Sequence, residues 1–150
     1  MISLKEAHEI IEGILPLDST VIPIDKALGH ICAEDVYALV DCPTVDSSLK
    51  DGFAIIDSDI DHATPEIPVE LFVSGVLTAG DEVGSFRVSR GEAIRIMTGA
   101  EIPIGATSVV ASEFAESSKT SVLVSADAKA GRNILRRGSD ITKGQLVLSR

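Results

Sequence analysis

Cys42-Pro-Thr-Val-Asp46-Ser47-Ser48-Leu49-Lys50-Asp51-Gly52-Phe53-Ala54-Ile55 gathers two carboxylates, two adjacent hydroxyls and an amine in one short stretch. Asp51-Gly52 before an apolar run reads as a tight turn entering a strand, with the glycine free to take conformations closed to other residues. A strand would then brace the polar loop, and braced loops commonly carry sites. On polarity alone the stretch also reads as a solvated surface turn.

Two later stretches carry similar groups. Gly91-Glu-Ala-Ile-Arg95-Ile-Met-Thr98-Gly99-Ala100-Glu-Ile-Pro103-Ile-Gly105-Ala106 places a threonine at a Thr-Gly-Ala turn after a strand. Its hydroxyl and the following backbone N–H groups are suited to facing an oxyanion. Gly131-Arg-Asn133-Ile-Leu-Arg136-Arg137-Gly138-Ser139-Asp140-Ile-Thr-Lys-Gly144 places Asp140 on a glycine-flanked loop beside two cations. Each group has an ordinary alternative. Asp51 serves equally as a turn stabiliser, Asp140 as an N-cap, Thr98 as a turn hydroxyl, and Arg136 and Arg137 as solvated charge.

The elements that must position these groups are mostly strands. Residues 3–15 read as an amphipathic helix, opened by the Ser3/Glu6 capping box, striped by Leu4, Ala7, Ile11 and Ile14, and stopped at Pro16. Val21–Ile24 is expected to be a short strand, 25–28 a helical turn closed by Gly29, and 31–39 partly extended. After residue 40 the candidate strands are 53–56, 69–73, 93–97, 108–111, 122–124 and 146–148. Pro, Gly and Ser turn signals separate them, which is a barrel or sandwich pattern. Residues 57–62 are read as a solvated loop, with one polar helical turn as the alternative. His8 is read as a surface residue, and Cys32 and Cys42 as small buried apolar groups.

Composition narrows the function. The chain is 45% apolar and only 3% aromatic, so its core must be aliphatic. Its net charge of −10 disfavours nucleic acid and anionic membranes as partners. An oxyanion site in such a chain needs local cations. No apolar run reaches membrane-spanning length, the N-terminus lacks signal-peptide character, and the two cysteines and three histidines form no zinc spacing. A cytoplasmic protein is the expectation.

Taken in order, the three stretches resemble the N-terminal half of the molybdopterin molybdenumtransferase family, the MoeA and gephyrin E-domain type. The family patterns are D-x-S-x-x-D-G-[YF]-A, R-I-x-T-G-A-x-[LIV]-P-x-G-A and N-[IV]-x-x-x-G-x-D-I-x-x-G, and the likeness runs from the first helix to Leu148. It implies a mostly β chain with a short N-terminal helical part. Residues 1–16 would form a helix that packs on a C-terminal pterin-binding domain. Residues 17–40 and 141–150 would belong to a small interrupted domain, and 41–140 to a β-barrel-like inserted domain. Because residues 145–150 stop inside an apolar strand pattern, a continuation beyond residue 150 is expected.

The resemblance also implies a reaction: molybdate is inserted into adenylylated molybdopterin and AMP leaves, assisted by magnesium, at a site shared across a homodimer. Asp51, Thr98 and Asp140 become the expected catalytic residues, with Asp51 and Asp140 as hard oxygen ligands for the metal. Ser48, Lys50, Arg136 and Arg137 become substrate-binding residues. Lys50 stands where the family usually has an apolar residue, and Thr107 and Ser139 where it usually has acidic ones, although Glu113 is kept. These departures leave room for a divergent paralogue, for example one using tungsten, or for a non-catalytic dimerisation module. A third alternative takes Asp57, Asp59 and Asp61 as the start of a cation-binding loop, without the glycine and glutamate such a loop needs.

Overall fold

The computed structural model describes residues 2–15, 17–127 and 129–150, so the expected helix stop at Pro16 lies outside the described residues. The chain divides into two compact units, residues 1–36 with 146–150, and residues 37–145.

In the smaller unit, helix α1 spans Leu4–Glu12. Ser3 Oγ accepts from the Glu6 N–H at 3.2 Å, and the Glu6 carboxylate accepts from the Ser3 N–H at 2.7 Å, completing the capping box. The Ser3 donors hold the Glu6 carboxyl below its ordinary range. The helix ends at Gly13, earlier than the stripe through Ile14 and Leu15 suggests, because glycine propagates a helix poorly. His8 is exposed, as expected. Val21–Ile24 is not a strand. Val21 is 99% exposed, Pro23 has no N–H to offer a ladder, and Ile24–Lys26 turns instead as a 3₁₀ helix. Gly29 then takes a positive φ of 85°.

In the larger unit the strands are numbered β1 Val36–Tyr37 (at the boundary), β2 Ser47–Ser48, β3 Gly52–Ile55, β4 Val69–Leu77, β5 Glu92–Ile96, β6 Ser108–Ala111, β7 Ala115–Ser117, β8 Ser121–Val124 and β9 Ile134–Leu135, with β10 Leu146–Leu148 following in the smaller unit. Six of them form an open sheet in the order β6-β3-β5-β4-β8-β7, curled as half a barrel. β4 and β5 run parallel and the other neighbours antiparallel. A parallel pair needs a crossover. Residues 78–91 supply it, laying Val83 and Val88 over one sheet face.

Both faces are covered. Ala54, Ile94, Ile96 and Val109 pack under the crossover, Ala100 and Ile134, while Phe53, Ile55, Ala93, Val110, Leu71, Val122 and Val124 pack on the other side with Ile60. β3 and β6 are therefore buried at every position, and their sequences read as continuous apolar runs without alternation. A register shift between Val73 and Gly75 puts one extra residue in β4. It turns Leu77 onto the crossover face, whereas Leu71 faces the other.

Two local expectations are corrected. Cys42 is exposed, because it sits on a chain edge held by backbone bonding to Ile141, and Cys32 is only half-buried. Residues 57–59 form a 3₁₀ turn rather than a free loop. The Asp57 carboxylate accepts from the Thr107 hydroxyl at 2.5 Å, and the Asp59 carboxylate from the Gly91 N–H at 2.8 Å. Those bonds engage Asp57 and Asp59, two of the three carboxylates of the supposed cation loop, and among the described residues no three metal-ligating side chains converge anywhere.

Candidate active site

Asp51 and Thr98 meet. Asp51 ends the turn into β3, and Thr98 follows β5, the neighbour of β3 in the sheet. Asp51 Oδ1 accepts both the Thr98 N–H at 2.7 Å and the Thr98 hydroxyl at 2.8 Å. The backbone of Asp51 is fixed as well, since its carbonyl accepts the Ser112 N–H and hydroxyl, each at 3.0 Å. The Thr98 N–H, then its hydroxyl, and more weakly the charge of Arg95, hold the Asp51 carboxyl below the ordinary aspartate range. The result is an exposed, ionised carboxylate in a single orientation. Among the described residues its second oxygen takes no hydrogen bond, so it can accept from water, a cation or a substrate group.

Ser48 has a different place from the expected one. It is buried, in β2, which pairs with β9 through Ser47–Leu135 and Ser48–Ile134. Its hydroxyl donates to the Lys50 carbonyl at 2.6 Å and accepts the Lys50 N–H at 3.2 Å, fixing the turn that presents Asp51. The Ser48 main chain also bonds to Ala100 and Gly99, tying this turn to the one that carries Thr98. Lys50 is exposed, and among the described residues its ammonium makes no ion pair.

Arg136 and Arg137 lie apart from that pair, in an acidic network. Asp46 accepts the Arg136 guanidinium at 2.6 Å and the Arg137 N–H at 2.8 Å. Asp41 accepts the Arg137 guanidinium at 2.5 Å and the Lys143 N–H at 2.7 Å. These donors lower both carboxyls, the Arg137 N–H acting most on Asp46 and the Lys143 N–H most on Asp41. The sequence pointed to the two arginines but not to these partners. Asp46 stands in the first motif, yet nothing local marks a contact ninety positions away.

Asp140 is exposed, and its N–H donates to the Cys42 carbonyl at 3.0 Å. Among the described residues its carboxylate takes only the Ser139 hydroxyl at 3.5 Å, too long for a firm bond. No hydrogen bond or ion pair among the described residues joins Asp140 to Asp51 or Thr98.

The sequence model of the MoeA N-terminal region (domain I and II) matches residues 2–150. The chain belongs to this family. It is 38% identical over 148 residues to the molybdopterin molybdenumtransferase of Staphylococcus epidermidis, covering 98% of this chain and 35% of that protein. It is 36% identical over 149 residues to molybdopterin molybdenumtransferase 2 of Mycobacterium tuberculosis, covering 99% and 36%. The crystal structure of a molybdopterin biosynthesis MoeA protein from Pyrococcus horikoshii superposes with a TM-score of 0.84 at 34% identity, over 99% of this chain and 38% of that one. The chain thus spans about a third of the length of these relatives.

Proposed function

We propose that this chain provides the β-domain side of a molybdopterin molybdenumtransferase site, where molybdate is inserted into adenylylated molybdopterin with release of AMP. One observation carries the reading: Asp51 and Thr98, from two separate motifs, form one ionised, oriented and solvent-facing pair. Family membership and the names of the relatives support it.

Each residue has a role in this reading. Thr98 holds Asp51 through Oδ1, and Oδ2 receives the substrate side. Magnesium prefers near-octahedral oxygen coordination, keeps several waters, and is usually shared between one or two carboxylates and substrate phosphates. A lone free carboxylate oxygen suits that kind of shared site. Asp51, with Asp140 as the second carboxylate, would hold the cation, whose chemistry is to neutralise charge on the phosphate being cleaved. Lys50 is free to meet an anionic substrate group. Ser48 positions the Asp51 turn. Arg136 and Arg137 assist substrate binding only where their pairs with Asp46 and Asp41 open. Residues 1–16, then 17–40 with 141–150, and then 41–140 remain the proposed division into domains.

The assembly proposed is a homodimer with its site shared across subunits, in the cytoplasm. No helix is long and apolar enough to cross a membrane. A non-catalytic dimerisation module is the second reading, favoured by one feature: Leu17, Val21, Ile24, Leu28 and Ile31 are each at least 90% exposed in the small unit. Molybdenum insertion by the full-length enzyme separates the two. Asp51→Asn should abolish turnover, and Thr98→Val, which frees the carboxylate to rotate, should lower it about a hundredfold, with both variants folded. Near-normal turnover in the Asp51 variant would leave the dimerisation module as the better reading.

A further inference from the structure

On the sheet face that carries Phe53, a row of side chains crosses three strands. Phe53 pairs with Arg95, and Arg95 with Val76 beyond the β4 irregularity. The Arg95 guanidinium lies 5.9 Å from the centre of the Phe53 ring. This row, with Val73, floors a cavity of about 470 Å³ whose rim is the β7–β8 turn, Ser117 to Lys119. The volume falls in the range of small-molecule sites, roughly 300–1,000 Å³.

The rim is built. Ser118 Oγ accepts the Thr120 N–H at 3.2 Å and the Ser121 N–H at 3.0 Å, and the Ser118 N–H donates to the Ser121 carbonyl at 2.8 Å. The Val73 N–H donates to the Thr120 carbonyl at 2.9 Å, tying the turn to β4. Lys119 is therefore presented from a fixed turn and lines the same cavity as Arg95.

The charge around this cavity runs against that of the molecule. The chain carries 23 acidic residues against 13 lysines and arginines, yet no carboxylate lines the cavity and two cations do. Among the described residues neither cation is in an ion pair. The Arg95 guanidinium lies beside the Phe53 ring, 5.9 Å from its centre, and its N–H groups suit a planar or tetrahedral oxyanion. Ser117 adds a hydroxyl, and Phe53, Val73 and Val76 add an apolar floor. Cations, a hydroxyl and an apolar wall together fit a phosphate ester with a small apolar or flat group better than they fit a free inorganic ion.

We propose that the cavity between the Phe53–Arg95–Val76 row and the Ser117–Lys119 turn binds a small phosphate monoester, its phosphate between Arg95 and Lys119 and its organic part on Phe53 and Val73. The proposal does not require molybdenum chemistry, although the Arg95 charge also acts weakly on the Asp51 carboxyl.

The test is a titration of the isotope-labelled 150-residue chain, followed through its amide resonances at constant ionic strength. The probes are phenyl phosphate, inorganic phosphate and phenol. Phenyl phosphate should saturate at millimolar concentrations and shift residues 117–119, Arg95 and Phe53 first, with inorganic phosphate weaker at the same residues and phenol weaker still. Arg95→Met and Lys119→Met should each weaken phenyl phosphate at least fivefold, with Lys143→Met, on the far acidic network, unchanged. Lost binding in a variant whose spectrum shows altered folding is checked against Lys119→Gln, which touches only the exposed turn. Shifts spread over all exposed lysines, equal affinity in the Arg95 and Lys119 variants, or no saturation with any probe would each overturn the proposal. Equal affinity for inorganic phosphate would overturn the ester assignment.

Discussion

Replacing Gly52 by alanine should destabilise the β-domain far more than one methyl group suggests. Gly52 begins β3, between Ile96 of β5 and Ala111 of β6. A Cβ there would sit 1.9 Å from the Val110 carbonyl oxygen and 3.1 Å from Ala111 Cα, both backbone atoms of a strand buried at every position. Restoring even a 3.4 Å contact requires the strands to part by 3.4 − 1.9 = 1.5 Å. Such a separation breaks the nearest ladder bonds, since N–H···O bonds fail much beyond about 3.2 Å. It also strains the Ser112 N–H bond to the Asp51 carbonyl, now 3.0 Å. Overpacking costs about 1–3 kcal/mol and a lost backbone bond about 1 kcal/mol; stiffening of the unfolded chain returns only about 0.4–1 kcal/mol. A net loss of about 2 kcal/mol corresponds to a fall in Tm of about 4–8 °C for a chain of this size. Gly75→Ala is the matched comparison. Its Cβ meets Phe86 at 2.8 Å, but that obstacle is a half-buried side chain that can swing, so the loss should be under half as large. Thermal unfolding followed by far-ultraviolet circular dichroism measures both. A Gly52→Ala chain that melts with the wild type, or no worse than Gly75→Ala, would refute the backbone-contact argument.

The other expectations concern charge and core. Because donors from Thr98 depress the Asp51 carboxyl in the folded state, its contribution to stability is present above the unfolded aspartate value and disappears as pH falls through the lower folded value. A carbon-detected carboxylate titration should place Asp51 below ordinary aspartates, and Thr98→Val should raise it part of the way, since the Thr98 N–H remains. Asp46→Ala should unfasten the 136–137 segment, because the same carboxylate holds the Arg136 guanidinium and the Arg137 N–H. Faster amide exchange at Arg137, with little change at β5, would be the signature. Ile96→Ala, at a position with no exposed surface, should cost about 2–5 kcal/mol in denaturant unfolding.

The sequence made the strand-rich architecture and the α1 cap legible because both are local. Turn residues mark strand ends, and Ser3 and Glu6 bond across one helical turn. Strands whose burial comes from distant partners were harder to read. Ser47–Ser48 looks like a polar loop until Ile134 and Leu135 pair with it, and Ser74-Gly75, which marks the extra residue in β4, reads from the sequence as the end of the strand instead. Val21–Ile24 failed in the opposite way, as an apolar run whose expected ladder partner is absent from the described residues. At the site, Asp51 and Thr98 were legible as polar groups on two separate turns. Their mutual hydrogen bonds depend on β3 and β5 being adjacent, which no local pattern states.

The first motif divides its residues between architecture and chemistry. Asp46 faces inward to the Arg136–Arg137 segment, Ser48 closes the turn at Lys50, and Gly52 is required by the Val110 backbone. Of its charged side chains, Lys50 and Asp51 are left exposed to solvent. The close spacing of acid, hydroxyl and glycine is thus what three structural demands impose on a chain that must deliver one carboxylate to a fixed point. Thr98 meets the same demand from the second motif, through a turn fastened to Ser48 by the Gly99 N–H at 2.8 Å. Weakening any of these supports should reach function through the orientation of Asp51. Gly52 variants are therefore expected to lower turnover in the full-length enzyme without touching substrate, and substitution at Lys50 to change substrate affinity while leaving the Asp51–Thr98 pair intact.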